Sequence, residues 1–345
     1  MSTRGDALLR LGPGRWYAAG LAAAALVYPL LLAGLHGSGK LLQTAPAARS
    51  ATVAVWLMLV LAVPALGLFT AARLGRVDRP TLAETRARAV AHLAFACPPL
   101  FTLIGVLLYI NASSIPDLAV WTAIWVAAGA IVVAAPRDNG APLPGTAARL
   151  RLAHGVSAAS LLAIFLVMHL GNHLVGLWGL DQHRAVMETL RGWYRHPLVE
   201  PALILLIVFQ AVSGAWLLRA RLGQRAAFFE TLQSATGAYL GIFIASHVTA
   251  VLVLGRSFVG IDTDFYWASG EAAGLIGDPW NVRLIPHYLL AVWSLITHAG
   301  CGLRSVLLEH HVREATGNRV ATGVSAGGAL VAIAIVSAQS GLRLG

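Results

Sequence analysis

His169 and His247 are the residues of this chain whose type and placing most directly suggest chemistry. Each lies about sixteen residues into an apolar run, counted from Ala153 and from Thr231. At ~1.5 Å per residue that is roughly 24 Å of rise. Two helices running the same way through a bilayer would then hold both imidazoles at one depth, in the outer half. A histidine in lipid is costly unless it has a partner. The plainer alternative is that each hydrogen-bonds to a neighbouring helix. Two neutral imidazoles facing across a gap, however, supply what the two axial positions of a haem iron require.

Other residues are read against that pair. His173 lies four residues beyond His169, on the same helical face, and is expected at the outer surface or behind the ligands. His298 precedes Ala299-Gly300-Cys301-Gly302 deep in the inner half, and small residues there let a cofactor or a helix approach the backbone. His154 is expected to be a polar anchor near the inner interface, and His36 and His92 to be interfacial residues at span ends. His310 and His311 fall in a solvated loop. Cys97 and Cys301 both sit inside spans, which fits small buried hydrophobes better than a disulfide or a zinc site. Glu200 is the deepest acid.

The elements that must position these residues follow from composition. The chain is 57% hydrophobic and 12% charged, with a mean hydropathy of +0.71, far outside the range of a water-soluble domain. Nine apolar runs stand near 16–36, 51–73, 90–110, 118–135, 153–177, 198–218, 231–254, 284–304 and 321–339. The fourth and last are short. The expected fold is all-α: a polytopic integral membrane helix bundle of about nine transmembrane helices. Residues 1–135 form a four-span region of unassigned role, and 136–151 a cytoplasmic linker rich in Pro and Gly. Residues 152–310 hold most of the intramembrane histidines, and 311–345 the final span.

The net charge of +10 is not a nucleic-acid signal. With the N-terminus in the cytoplasm, 17 of the 25 basic residues fall on inner segments, as the positive-inside rule requires with nine spans and an outer C-terminus. That places the chain in a bacterial-type inner (plasma) membrane, with the arginines as topology determinants and phospholipid contacts.

Residues 150–310 also carry a family resemblance. Arg151 and His154 open the fifth span, and His169 follows in a Phe-Leu-x-x-His-Leu run. Ala185–Tyr194 leads to a Pro197–Ala202 entry. Leu232–Gly237 precedes Phe243-Ile244-Ala245-Ser246-His247-Val248, and His298 opens a His-x-x-x-Gly-Leu. This pattern resembles the five-helix cytochrome b membrane subunit of succinate dehydrogenases and fumarate reductases, the di-haem kind. The resemblance implies an outer haem b on His169 and His247. It implies an inner haem on His298 and a histidine of the sixth span, where this chain has Gln210, a poor axial ligand. One haem is therefore the expectation. The family also lacks the four N-terminal spans.

The function expected from this is a membrane-anchored b-type cytochrome. It would pass electrons between a membrane quinone and a soluble partner at the inner face, in the family an iron–sulfur subunit carrying a flavoprotein. Arg219, Arg221, Arg225, Arg304 and Arg313 would offer that partner a basic surface. Asp181–His196 and the outer acids Asp262, Asp264, Glu271 and Asp278 would flank a quinone pocket. Trp178, Trp193, Trp267 and Trp280 would join the interfacial aromatic belt. The alternatives are a cofactor-free membrane protein of the same fold and a transporter, although the spans show no inverted repeat and almost no buried carboxylates.

Overall fold

A computed structural model describes residues 13–41, 46–135 and 148–344. Every regular element among them is helical. The chain order is α1 (Pro13–Leu41), α2 (Pro46–Gly75), α3 (Leu82–Phe95), α4 (Cys97–Ile110), α5 (Asp117–Val133), α6 (Ala148–Val175), α7 (Leu180–Tyr194), α8 (Val199–Leu222), α9 (Phe228–Val259), α10 (Leu284–Glu309) and α11 (Glu314–Gln339). Seven of these, α1, α2, α6, α8, α9, α10 and α11, are long and apolar enough to cross a membrane. Large apolar side chains such as Leu30, Met58, Leu205, Val212 and Leu330 stand exposed on the outside, a surface that suits lipid rather than water. The protein is a polytopic helical membrane bundle.

The expected third and fourth spans differ. α3 and α4 make an eighth crossing only as a pair bent by 71°. Pro98 and Pro99 follow directly after the bend and lack the N–H groups that would bond back to Ala94 and Phe95. α3 itself starts on a Thr81/Glu84 capping box. The fourth apolar run, α5, has 17 helical residues and falls short of a span. The last run, expected to be short, is a full helix of 26 residues. Most of the proposed linker, 136–147, lies outside the described residues, and α6 is already helical at Ala148.

Helix direction alternates, so the bundle has an arginine-rich end (Arg73, Arg149, Arg219, Arg313) and a loop end where 260–283 gather. The N-terminal helices surround Tyr28, Phe101, Trp121 and Trp125, with Trp121 Nε1 donating to Ala25 O at 2.8 Å. α2 meets the end of α3 backbone to backbone: a Cβ on Gly67 would lie 2.5 Å from Phe95 N, so only glycine fits there.

The N-terminal helices are not a separate module, because α2, α3 and α4 pack on α9, α2 and α4 also on α10, and Asp117 of α5 pairs with Arg283 just ahead of α10. Phe95 meets Tyr239 at 5.5 Å, and the Tyr239 hydroxyl donates to His287 O at 2.8 Å. At the arginine-rich end buried Arg88 donates to the carbonyls of Arg221 and Gln224, at 3.1 and 2.6 Å, capping α8. At the loop end Arg283 reaches Asp117 Oδ2 at 3.0 Å and lies 4.4 Å over the Phe101 ring. The Arg283 side chain is 9% exposed and Asp117 32%. Arg283→Met strands a half-buried carboxylate and should destabilise the bundle by roughly 2–4 kcal/mol. Thermal unfolding in detergent reads this, Asp117→Asn on the same background should restore part of it, and an unshifted midpoint would refute the clamp.

His92, expected at an interface, is instead buried inside α3 with Nδ1 bonded to Arg88 O at 2.7 Å. The reason is the bend, which sinks the middle of the α3–α4 pair into the bundle. Arg304, expected on an open docking surface, is also buried and bonds Asn318 Oδ1 at 2.6 Å. Cys97 and Cys301 are free and buried.

Candidate haem-binding histidine pairs

Three helices present the histidines. α6 carries His154 and His169 fifteen residues apart, ~22 Å along the axis. A π turn at Leu162–Leu166 lies between them and shifts the helical register by about one residue. α9 carries His247 directly before the π-helical stretch Thr249–Val259, which Gly260 closes in the left-handed region at φ 74°. α10 carries His287 near the loop end and His298 eleven residues deeper.

At the loop end the His169 and His247 rings face each other with centroids 6.2 Å apart. Each stacks on a phenylalanine one turn earlier in its own helix: Phe165 on His169 at 4.9 Å, and Phe243 on His247 at 5.3 Å. These stacks fix the ring directions without occupying a ring nitrogen. His173, expected at the outer surface or behind the ligands, is packed between His169 at 4.8 Å and His183 at 5.6 Å, because α7 folds back over it.

A second pair stands at the arginine-rich end, His154 opposite His298, with centroids 6.5 Å apart. His298 Nδ1 meets Gln233 O at 3.0 Å, and His154 Nδ1 meets Ser213 Oγ at 2.7 Å. Ser213 Oγ itself donates to Phe209 O, so it accepts from His154. Both histidines therefore carry their proton on Nδ1 and leave the Nε2 lone pair bare. Gln210 does not face His298: its Nε2 donates to His154 O at 2.8 Å and to Ser157 Oγ.

The two spacings can be compared with what a shared metal demands. Imidazole–metal bonds run to about 2.0–2.1 Å, and each ring centroid lies about 1.2 Å behind its nitrogen, so two rings on opposite sides of one metal should stand roughly 6.4 Å apart. Both pairs meet this. Among the described residues no three His, Cys, Asp or Glu side chains are grouped to hold a bare metal ion, whereas haem iron needs only two protein ligands. The surroundings also suit a flat macrocycle. α6 packs on α8 but not extensively on α9 or α10, so its histidines reach across a slot. α9 contacts helices from both halves, yet only 11% of its most apolar stretch is buried. Gly214 and Gly237 flank the slot, their would-be Cβ atoms 3.4 and 3.0 Å from His154 and His298.

Beside the loop-end pair lies a cavity of about 300 Å³. Its wall includes His247, Ser246, His287 and Tyr288, Thr102 and Tyr109 from α4, and Glu271, Trp267 and Trp280 from the loops. Ser246 Oγ and His287 Nδ1 are buried there without a hydrogen-bond partner. Trp267 and Trp280 thus line a cavity rather than only a belt, while Trp178 and Trp193 remain exposed.

No known family model, curated protein or solved structure matches this chain. The site rests on its own geometry.

The acids of the loop end are largely tied to α7. Asp262 pairs with Arg195 at 2.9 Å and with Arg191, and Asp264 accepts from Trp267 N at 2.9 Å. Burial pushes the Asp262 carboxyl up, but the hydrogen bonds and charges of Arg195 and Arg191 outweigh it and hold the pKa below its usual value. Glu200 is paired with Arg256. Composition and hydropathy passed over His183 and His287. The signal for His287 was a histidine beside Pro286 and Tyr288 at a span entry, where the polar neighbours hid it.

Proposed function

We propose that the chain is a membrane-anchored b-type cytochrome that carries electrons between a bilayer quinone and a soluble redox partner. The observation that supports it best is the facing of His169 and His247 at 6.2 Å, each imidazole held on its own phenylalanine. A haem held by two imidazoles supplies one-electron transfer and keeps no open position for oxygen or substrate. The residues' part is to bind and orient: Phe165 and Phe243 hold the rings, and α9 carries His247 to the cavity wall. Ser246 and His287 offer hydrogen-bonding atoms for quinone oxygens in a cavity at the small end of the usual ligand-site range. Oxidising a quinol there releases two electrons and two protons. Those electrons would pass one at a time to a haem held by His169 and His247, and the protons would leave by the loop end. Under the positive-inside rule the arginine-rich end faces the cytoplasm and a soluble partner, with Arg219, Arg221 and Arg313 on that face.

The test is a dithionite-reduced minus oxidised spectrum of the purified protein with a pyridine haemochrome count. A b-type α band is expected, and His169→Ala and His247→Ala should each remove the same component. Ser246→Ala with His287→Gln should slow reduction by a short-chain quinol and leave the dithionite spectrum intact. A colourless protein after expression with ample haem would sink the reading and favour a cofactor-free bundle.

A further inference from the structure

We infer that His154 and His298 hold a second haem at the arginine-rich end, so that the chain carries two iron sites about 22 Å apart along α6. The inference rests on the cytochrome reading above, and it departs from the ligand set that the family resemblance implied. That pattern asks for a histidine at the position of Gln210. Here the ligand comes instead from the first turns of α6, and Gln210 becomes a positioning residue. Its amide holds the His154 carbonyl and the Ser157 hydroxyl, which docks the start of α6 on α8.

Three observations converge on the pair. The centroid spacing of 6.5 Å is the spacing that a shared metal sets, roughly 6.4 Å by bond lengths. Both Nδ1 atoms are engaged, one by a main-chain carbonyl and one by a hydroxyl that itself donates onward. This is the outer arrangement that ligating histidines need to present Nε2. Each ring also lies against a glycine of a neighbouring helix, Gly214 for His154 and Gly237 for His298. Histidines serving only as helix-to-helix glue would need no second imidazole 6.5 Å away and no ring nitrogen left without a hydrogen bond.

The first readout is haem stoichiometry on the full chain in detergent or nanodiscs. Two haems per chain are expected for the wild type. His154→Ala and His298→Ala should each leave one, and both should remove the same wave from a potentiometric titration. The double variant should lose no more. Because His154→Ala could disturb the start of α6, His154→Met is the second variant. It should keep two haems but raise one midpoint potential, as a thioether ligand does. Gln210→Leu should move that same potential without loss of haem. A single haem in the wild type, lost in His169→Ala and kept in His298→Ala, would overturn this inference and leave the cytochrome function standing. Two haems surviving in His154→Ala would equally refute the assignment of this ligand. No haem at all would remove the function itself.

Discussion

Gly237→Val is expected to cost the folded protein the haem proposed at the His154–His298 pair and to leave the His169–His247 component untouched. The His298 ring meets α9 with its Nδ1–Cε1 edge, pinned through Nδ1 to Gln233 O one turn before Gly237. A Cβ on Gly237 would sit 3.0 Å from His298 Cε1 and 3.4 Å from Nδ1. The ring cannot tilt away without losing its hydrogen bond, and sliding it along α10 moves Nε2 off the axis toward His154. Alanine forces a shift of a few tenths of an ångström, which should weaken haem retention and move the potential. Valine adds two methyl groups at the same point and should abolish binding at this pair. Gly323→Ala is the control: it sits exposed on α11 with nothing near its would-be Cβ, and it should retain both haems. The measurement is haem per chain on the monodisperse fraction, with redox titration to identify the surviving component. Two haems with unchanged potentials in Gly237→Val would show that the His298 ring is not held where ligation needs it.

Depth singled out His169 and His247, because each lies about sixteen residues into its apolar run, where an ionisable side chain is costly without a partner. His154 carried no such mark. It lies six residues into its helix, among Arg149, Arg151 and Ser157, where a polar residue is unremarkable. Its value depends on which neighbour it faces, and that is set by the docking of α6 on α8 through Gln210 and Ser213. The same lack of tertiary information made Gln210 read as a missing ligand. Hydropathy delivered the long helices and missed the bend at Pro98-Pro99, since a window average does not register an absent N–H. It also read Arg88 and Arg304 as surface charge. Both are buried, and Arg88 satisfies the Arg221 carbonyl in the last turn of α8 and the Gln224 carbonyl just past it, a task for which a guanidinium's fixed fork is well suited.

The joining of the two halves follows from the same residues and bears on function. Thr102 and Tyr109 of α4 close the cavity that Ser246, His247 and His287 open, so the N-terminal helices contribute to the proposed quinone site directly. Arg283 and Arg88 hold them there from opposite ends. The C-terminal helices without that half would expose the cavity to lipid on the side now covered by α4, and would strand Arg283, the partner of Asp117.

The loop-end cap should respond to acid through His183, which lies on α7 outside the spans. His183 is buried with neither ring nitrogen bonded, against Phe265 at 4.5 Å and His173 at 5.6 Å. Burial lowers its pKa from 6.5 to about 4, with Asp264 pulling it up and Arg191 pushing it down. A histidine depressed in the folded state binds fewer protons there than in the unfolded chain, so stability rises with pH through this window. The contribution is intact above about pH 6.5 and is lost as pH falls toward 4. At ~1.4 kcal/mol per unit the loss approaches 3 kcal/mol. His183→Phe keeps the ring packing and removes two unbonded buried nitrogens, so at pH 7 it should be neutral or stabilising. Between pH 6.5 and 4 it should flatten the dependence. Hydrogen exchange of 180–194 reads it locally: protection of α7 should fall with acid in the wild type and hold in His183→Phe. An equal fall in both would assign the acid response to other groups, of which His173, 5.6 Å from His183, is the nearest.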